Sequence, residues 1–198
     1  VRFWATNRAL PVVTGMWLVT LVLVAPFGST LVPTPNVLGG IALALPAAVL
    51  IPLLCSGSVA YLLSRAPRDW EANAVRPVRV YDSAFLVALG GLYGVLCLAL
   101  HVTDLQPTAV IAARNALGFT GLALLVSRFS TAVSAATVPT LYAVAAMVLG
   151  DRGRSWWAWP VSDVFSVRAL GLAVLVFVLG VVAHAWLPDW LRRRQVAR

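Results

Sequence analysis

The sequence predicts an all-α integral membrane protein: six transmembrane helices with both termini on the cytoplasmic side, and a short interfacial helix at the N-terminus. Three observations predict it. The 198 residues are 61% hydrophobic and 11% charged, whereas a soluble domain carries about 25% charged residues. The apolar residues fall into six runs, each long enough to cross about 30 Å of hydrocarbon at about 1.5 Å per residue. The arginines are distributed unevenly between the two sides that these runs define. Six spans leave short loops and no room for a separate soluble domain, so residues 1–198 form a single transmembrane domain.

The first span is expected over about residues 11–27, opened by Pro11. Arg2 and Arg8 precede it as they would a signal peptide, but the run is long and no small-x-small cleavage site follows, so it reads as a retained span. The chain opens on Val1, which leaves its true start open. "VRFWATNRAL" fits a turn or two of amphipathic helix at the cytoplasmic surface, stopped by Pro11. The second span is expected over about 36–63, the third over 83–102, the fourth over 107–126, the fifth over 131–149 and the sixth over 166–187. "SRFS" nearly fuses the fourth to the fifth, so the count of six requires a tight turn there. Pro26, Pro46, Pro52 and Pro139 each remove a backbone donor and can kink their helices. The pairs Gly90/Gly94 and Gly118/Gly121 favour close helix contact.

Every basic residue is arginine, and the net charge is +8. Alternating the spans puts Arg2, Arg8, Arg65, Arg68, Arg76, Arg79, Arg128, Arg192, Arg193, Arg194 and Arg198 on one side. Only Arg152, Arg154 and Arg168 fall on the other, and Arg114 lies within the fourth span. By the positive-inside rule the first side is cytoplasmic. The arginines form no stripe on a soluble face, which argues against nucleic acid as a partner. The C-terminal "WLPDWLRRRQVAR" reads as an interfacial tryptophan pair with an arginine cluster facing anionic lipid.

Reacting groups are scarce. The seven acids lie in loops or at span ends, and His101 and His184 sit at opposite ends of their spans. A metal site needs three or four convergent ligands, and none cluster in the sequence. Cys55 and Cys97 lie in apolar runs and read as buried small hydrophobes. "CSGSVAY" lacks the spacing of a nucleophile elbow, and there is no phosphate-cradling glycine loop. An intramembrane enzyme is disfavoured, and so is a carrier with acids in mid-membrane.

Two outer features remain. Arg114 and Asn115 stand about two turns inside the fourth span. They either line the bundle interior, meeting a substrate or an internal partner, or Arg114 snorkels outward or bonds the carbonyls of a neighbouring helix. Trp156, Trp157 and Trp159, in "DRGRSWWAWPVSDVF", either form an aromatic belt at the headgroups or ride a hairpin dipping back into the outer leaflet. On the inner side, "DWEANAV" between Pro67 and Pro77 reads as a short helix with acids in its first turn. Trp70 beside charges suits a docking surface.

With its six spans, inner helix between the second and third, and structured outer loop between the fifth and sixth, the chain resembles the membrane (permease) subunit of an ABC transporter of the type-two export-permease family. "DWEANAVRPVRVYD", "ARNALGFTGLALL" and "WWAWP" look like actinobacterial members of that group. The resemblance covers most of the chain. It implies a permease subunit of an ATP-driven exporter in a bacterial plasma membrane, with no cofactor in this chain. ATP and Mg would belong to a partner ATPase subunit. A second permease chain, identical or related, would complete the pathway in the lipid bilayer. Arg68, Asp69, Trp70, Glu71 and Asn73 would lie on the coupling helix that seats on the ATPase. A non-transport scaffold or anchor subunit, or a small intramembrane enzyme, would be the alternatives.

Overall fold

A computed structural model describes residues 8–34, 43–65, 78–150 and 155–186. Helix α1 spans Leu10–Phe27 and leads into an antiparallel hairpin, β1 (Leu31–Thr34) and β2 (Leu43–Pro46), in the register Leu31↔Pro46. A 3-10 turn, Ala47–Val49, follows, then α2 (Leu53–Ser64), α3 (Val78–Val102), α4 (Ala109–Phe129) and α5 (Ala132–Leu149). A second 3-10 turn, Trp159–Val161, precedes α6, Val167–Trp186. Among the described residues, six segments are long and apolar enough to cross a membrane, the second counted from Ala47 to Ser64. The chain is a multi-pass membrane protein by length and hydropathy.

Two boundaries differ from the sequence expectation. The second span does not begin near residue 36: residues 43–46 pair as a strand, and regular helix starts only at Leu53. Pro46 and Pro52 are the cause, because each lacks the N–H a continuing helix needs and restricts the residue before it. The third helix begins at Val78 rather than Ser83, which brings Arg79 and Asp82 into its first turns. Charged residues can extend a helix past its apolar stretch, so hydropathy alone underestimated it. The turn between the fourth and fifth spans is as tight as the count required. Ser130 ends α4 in an extended conformation, and the Thr131 hydroxyl caps α5 by accepting from the Ser134 N–H at 3.3 Å.

Helix α4 is the axis of the bundle. It packs against all five other helices and both 3-10 turns. Two-thirds of its span is buried, 67% against 22% for α5. Small residues allow this: Ala112, Ala116, Gly118, Gly121 and Ala123 let neighbours approach the α4 backbone. The tightest approach is to α6. A Cβ on Gly121 would stand 2.5 Å from the Phe177 Cα, and one on Gly180 would stand 2.9 Å from the Gly121 Cα. Gly90 of α3 receives Leu117, whereas Gly94 faces open space. Trp17 of α1 meets Tyr93 of α3 edge to face at 5.4 Å. At the arginine-rich end, buried Arg8 forms an ion pair with the buried carboxylate of Asp82 at 2.8 Å, tying the start of α1 to the start of α3.

Candidate functional site: a clamped turn on the central helix

Arg114 stands five residues past Ala109, the first residue of α4, which is about 7.5 Å below the helix end. It is 1% exposed and does not snorkel. Its guanidinium reaches sideways to the loop between α5 and α6. Nη1 donates to the Asp163 carbonyl at 2.8 Å, and Nη2 donates to the Ser162 carbonyl at 2.8 Å and the Pro160 carbonyl at 3.4 Å. A planar fork of fixed donors suits three carbonyls displayed by one turn. Pro160 sits in the 3-10 turn Trp159–Val161, which is too short to consume the carbonyls at its own end.

Asn115, the next residue, is fully buried. Its Nδ2 donates to the Pro160 carbonyl at 3.1 Å and to the Val49 carbonyl at 3.4 Å. One amide therefore binds both 3-10 turns, the one before α2 and the one before α6. Non-helical backbone persists at membrane depth only where protein satisfies it, and here the Arg114–Asn115 pair supplies donors.

The turn is also held by shape. Trp159 fills the notch left by Gly118, where any Cβ would overlap its ring. It packs on Phe119 at 5.3 Å and on Tyr142 of α5 at 5.5 Å. The Tyr142 hydroxyl donates to the Trp157 carbonyl. Gly118 lies nine residues past Ala109, so the Trp159 ring reaches about 13 Å below the N-terminal end of α4. The loop thus dips into the bundle from that end. The three tryptophans part company: Trp159 is core, Trp157 is half-buried, and Trp156 is 77% exposed, as a headgroup-level indole would be.

Above the clamp lies a cavity of about 250 Å³, lined by Leu45, Val49, Thr108, Val161, Ser162 and Asp163 among others. Both 3-10 turns contribute to its lining, through Val49 and Val161. Gln106, not among the candidate residues, accepts from Thr108 of its lining at 3.2 Å. Buried Nε2 donates to the Val24 and Ala25 carbonyls at 3.0 Å each, closing the end of α1 where Pro26 interrupts the backbone ladder. A polar residue lodged between Leu105 and Pro107 was the available signal.

Arg68, Asp69, Trp70, Glu71 and Asn73 lie outside the described residues, as does the N-terminal segment 1–7. Cys55 and Cys97 are free thiols and buried, and the Cys55 thiol donates to the Thr20 hydroxyl at 3.6 Å. Among the described residues no three His, Cys, Asp or Glu side chains converge as metal ligands would.

Set beside protein-family models, curated proteins and solved structures, the chain matches none. The class that fold and hydropathy define is a mostly helical, multi-pass membrane protein with six candidate spans. Within that class, what distinguishes this chain is a central helix that clamps two non-helical turns at one end of the bundle.

Proposed function

We propose that this chain is the permease subunit of an ATP-driven exporter, coupled to a separate ATPase subunit and working as a pair of permease chains. The observation that carries the reading is the turn Trp159–Val161, buried at membrane depth and held by Arg114. An ionisable residue inside a membrane bundle is costly, about 2.5–3.5 kcal/mol at the centre of a span, and typically marks a transport route or its gate. Here it holds a plug rather than lining an open channel. Trp17, Tyr93, Phe119 and Trp159 fill the interior, so a route through lipid would run along the outside of one chain and be completed by a second. Helices α1 and α5 bury the smallest shares of their spans and offer the surface for that second copy.

The motor side of the reading rests on residues 66–77, between α2 and α3. There Arg68, Asp69, Trp70, Glu71 and Asn73 would form the coupling helix. Nucleotide binding in the partner ATPase would displace this segment and bias the bundle between two states. The apolar interior and the cavity of about 250 Å³ favour an amphipathic or hydrophobic cargo over a sugar or an ion.

The test is purification of the tagged chain from its native membrane in mild detergent. An ATP-binding-cassette ATPase should co-purify, and Trp70→Ala or Glu71→Arg should release it and abolish transport. Recovery of the chain without any ATPase, or full binding and transport by both variants, would overturn the reading.

A further inference from the structure

Two turns with no continuous backbone between them share one side chain. Val49 closes the 3-10 turn that feeds α2, and Pro160 lies in the turn that feeds α6. The Asn115 amide donates to both carbonyls. Both turns also line one cavity, the first through Val49 and the second through Val161, with Ser162 just after it. Arg114 serves only the second turn, at Pro160, Ser162 and Asp163. The two neighbours on α4 therefore have separable jobs: Arg114 seats the plug, and Asn115 ties the plug to α2.

Helix α2 is short and straightforward to move as a unit. Its 12 residues span about 18 Å, from the outer turn to Ser64 and Arg65, where the inner segment 66–77 begins. A rigid helix carries displacement from one end to the other, and a packed bundle switches between discrete arrangements rather than bending continuously. Asn115 Oδ1 has no hydrogen-bond partner in this arrangement although it is fully buried. A buried acceptor left unpaired is unfavourable, so the amide has something to gain in a second arrangement.

We propose that Asn115 is the joint that makes the outer turn of α2 and the Trp159–Val161 plug move together, so that motion entering α2 from the cytoplasmic side opens the outer plug. This rests on the exporter reading for the source of the motion. The joint itself rests only on the geometry of the two turns.

The experiment uses single cysteines at the two turns, Ala47→Cys and Ser162→Cys, labelled with a membrane-impermeant maleimide in liposomes holding the chain with its co-purified ATPase. The native thiols of Cys55 and Cys97 are fully buried. With Asn115 intact, a non-hydrolysable ATP analogue should change the labelling rates at 47 and 162 together. In Asn115→Leu the rate at 47 should still respond and the rate at 162 should not, while Asn115→Gln, which keeps the donor, should restore the joint response. Asn115→Ala, which removes the donor and is smaller than leucine, should behave like Asn115→Leu and serves if the leucine variant does not fold. Undiminished response at 162 in the leucine or alanine variant would overturn the proposal. If no ATPase co-purifies, the exporter reading fails on its own, and the joint is then read in the isolated chain. There Asn115→Leu should raise labelling at 162 about fivefold, as expected for losing one hydrogen bond, and an unchanged rate would overturn it.

Discussion

Gly121 of α4 and Gly180 of α6 meet backbone to backbone: a Cβ on either would fall within 3 Å of main-chain atoms of the other helix. No rotamer change can relieve such a contact, because the obstacle is main chain. Gly121→Val should therefore push α6 off α4 and cost about 1–3 kcal/mol, the usual penalty for overpacking. Gly94, which faces open space, should accept alanine within about 0.5 kcal/mol. Thermal unfolding in detergent compares the two, and equal effects would mean that the α4–α6 seam is looser than described.

Trp159 and Trp156 lie three residues apart yet occupy opposite environments. Trp159→Ala would leave a cavity against Gly118, Phe119 and Tyr142 and should cost about 3–5 kcal/mol. Trp156→Ala should change stability by no more than about 0.5 kcal/mol. Tryptophan emission provides an independent reading: loss of Trp159 should remove a blue-shifted, quencher-resistant component, and loss of Trp156 a quencher-accessible one.

Arg114 is expected to be intolerant of the nominally conservative lysine. An ammonium is a point donor and does not reproduce a fork that reaches Pro160, Ser162 and Asp163 at once. Arg114→Leu would leave the Ser162 carbonyl without its donor, at about 1–3 kcal/mol, while the Pro160 and Asp163 carbonyls keep the Asn115 amide and the Ser166 N–H. The expected order of stability is native, then Arg114→Lys, then Arg114→Leu. Maleimide labelling of Ser162→Cys should rise in the same order. A leucine variant as stable as the native chain would show that Asn115, Tyr142 and Trp159 hold the turn without Arg114.

Arg8 and Asp82 close the opposite end of the bundle, at 2.8 Å and almost without exposure. Removing one member of a buried pair strands the other charge, so Asp82→Ala should cost about 3–5 kcal/mol. Arg8→Met combined with Asp82→Leu should recover most of that loss, because replacing both partners leaves no stranded charge. A double variant as unstable as the single one would indicate that the pair is held mainly by further polar neighbours.

Much of this was legible from residue order because lipid imposes so few solutions. The six spans and the tight Ser130–Thr131 turn followed from run length, and the value of Gly118 and Gly121 followed from their size. What escaped shares one cause: it depends on which distant backbone comes near. Residues 43–46 are as apolar as a span, and only pairing with Leu31–Thr34 makes them a strand. Arg114 was visible as an anomaly, but its partners lie 46 to 49 residues away and are carbonyls, which no side-chain pattern advertises. Asp82 looked like a loop acid until α3 was found to start at Val78. Trp156 and Trp159 are indistinguishable by type, and only the Gly118 notch separates them.

The account depends most directly on which membrane face each loop occupies. Cysteines placed at Trp70 and Trp156 in intact cells, challenged with an impermeant maleimide, measure this. Position 156 should label at once, and position 70 only after the membrane is opened. Labelling of position 70 from outside intact cells would contradict the assignment of the arginine-rich side to the cytoplasm, and with it the proposal that an ATPase drives this chain from within.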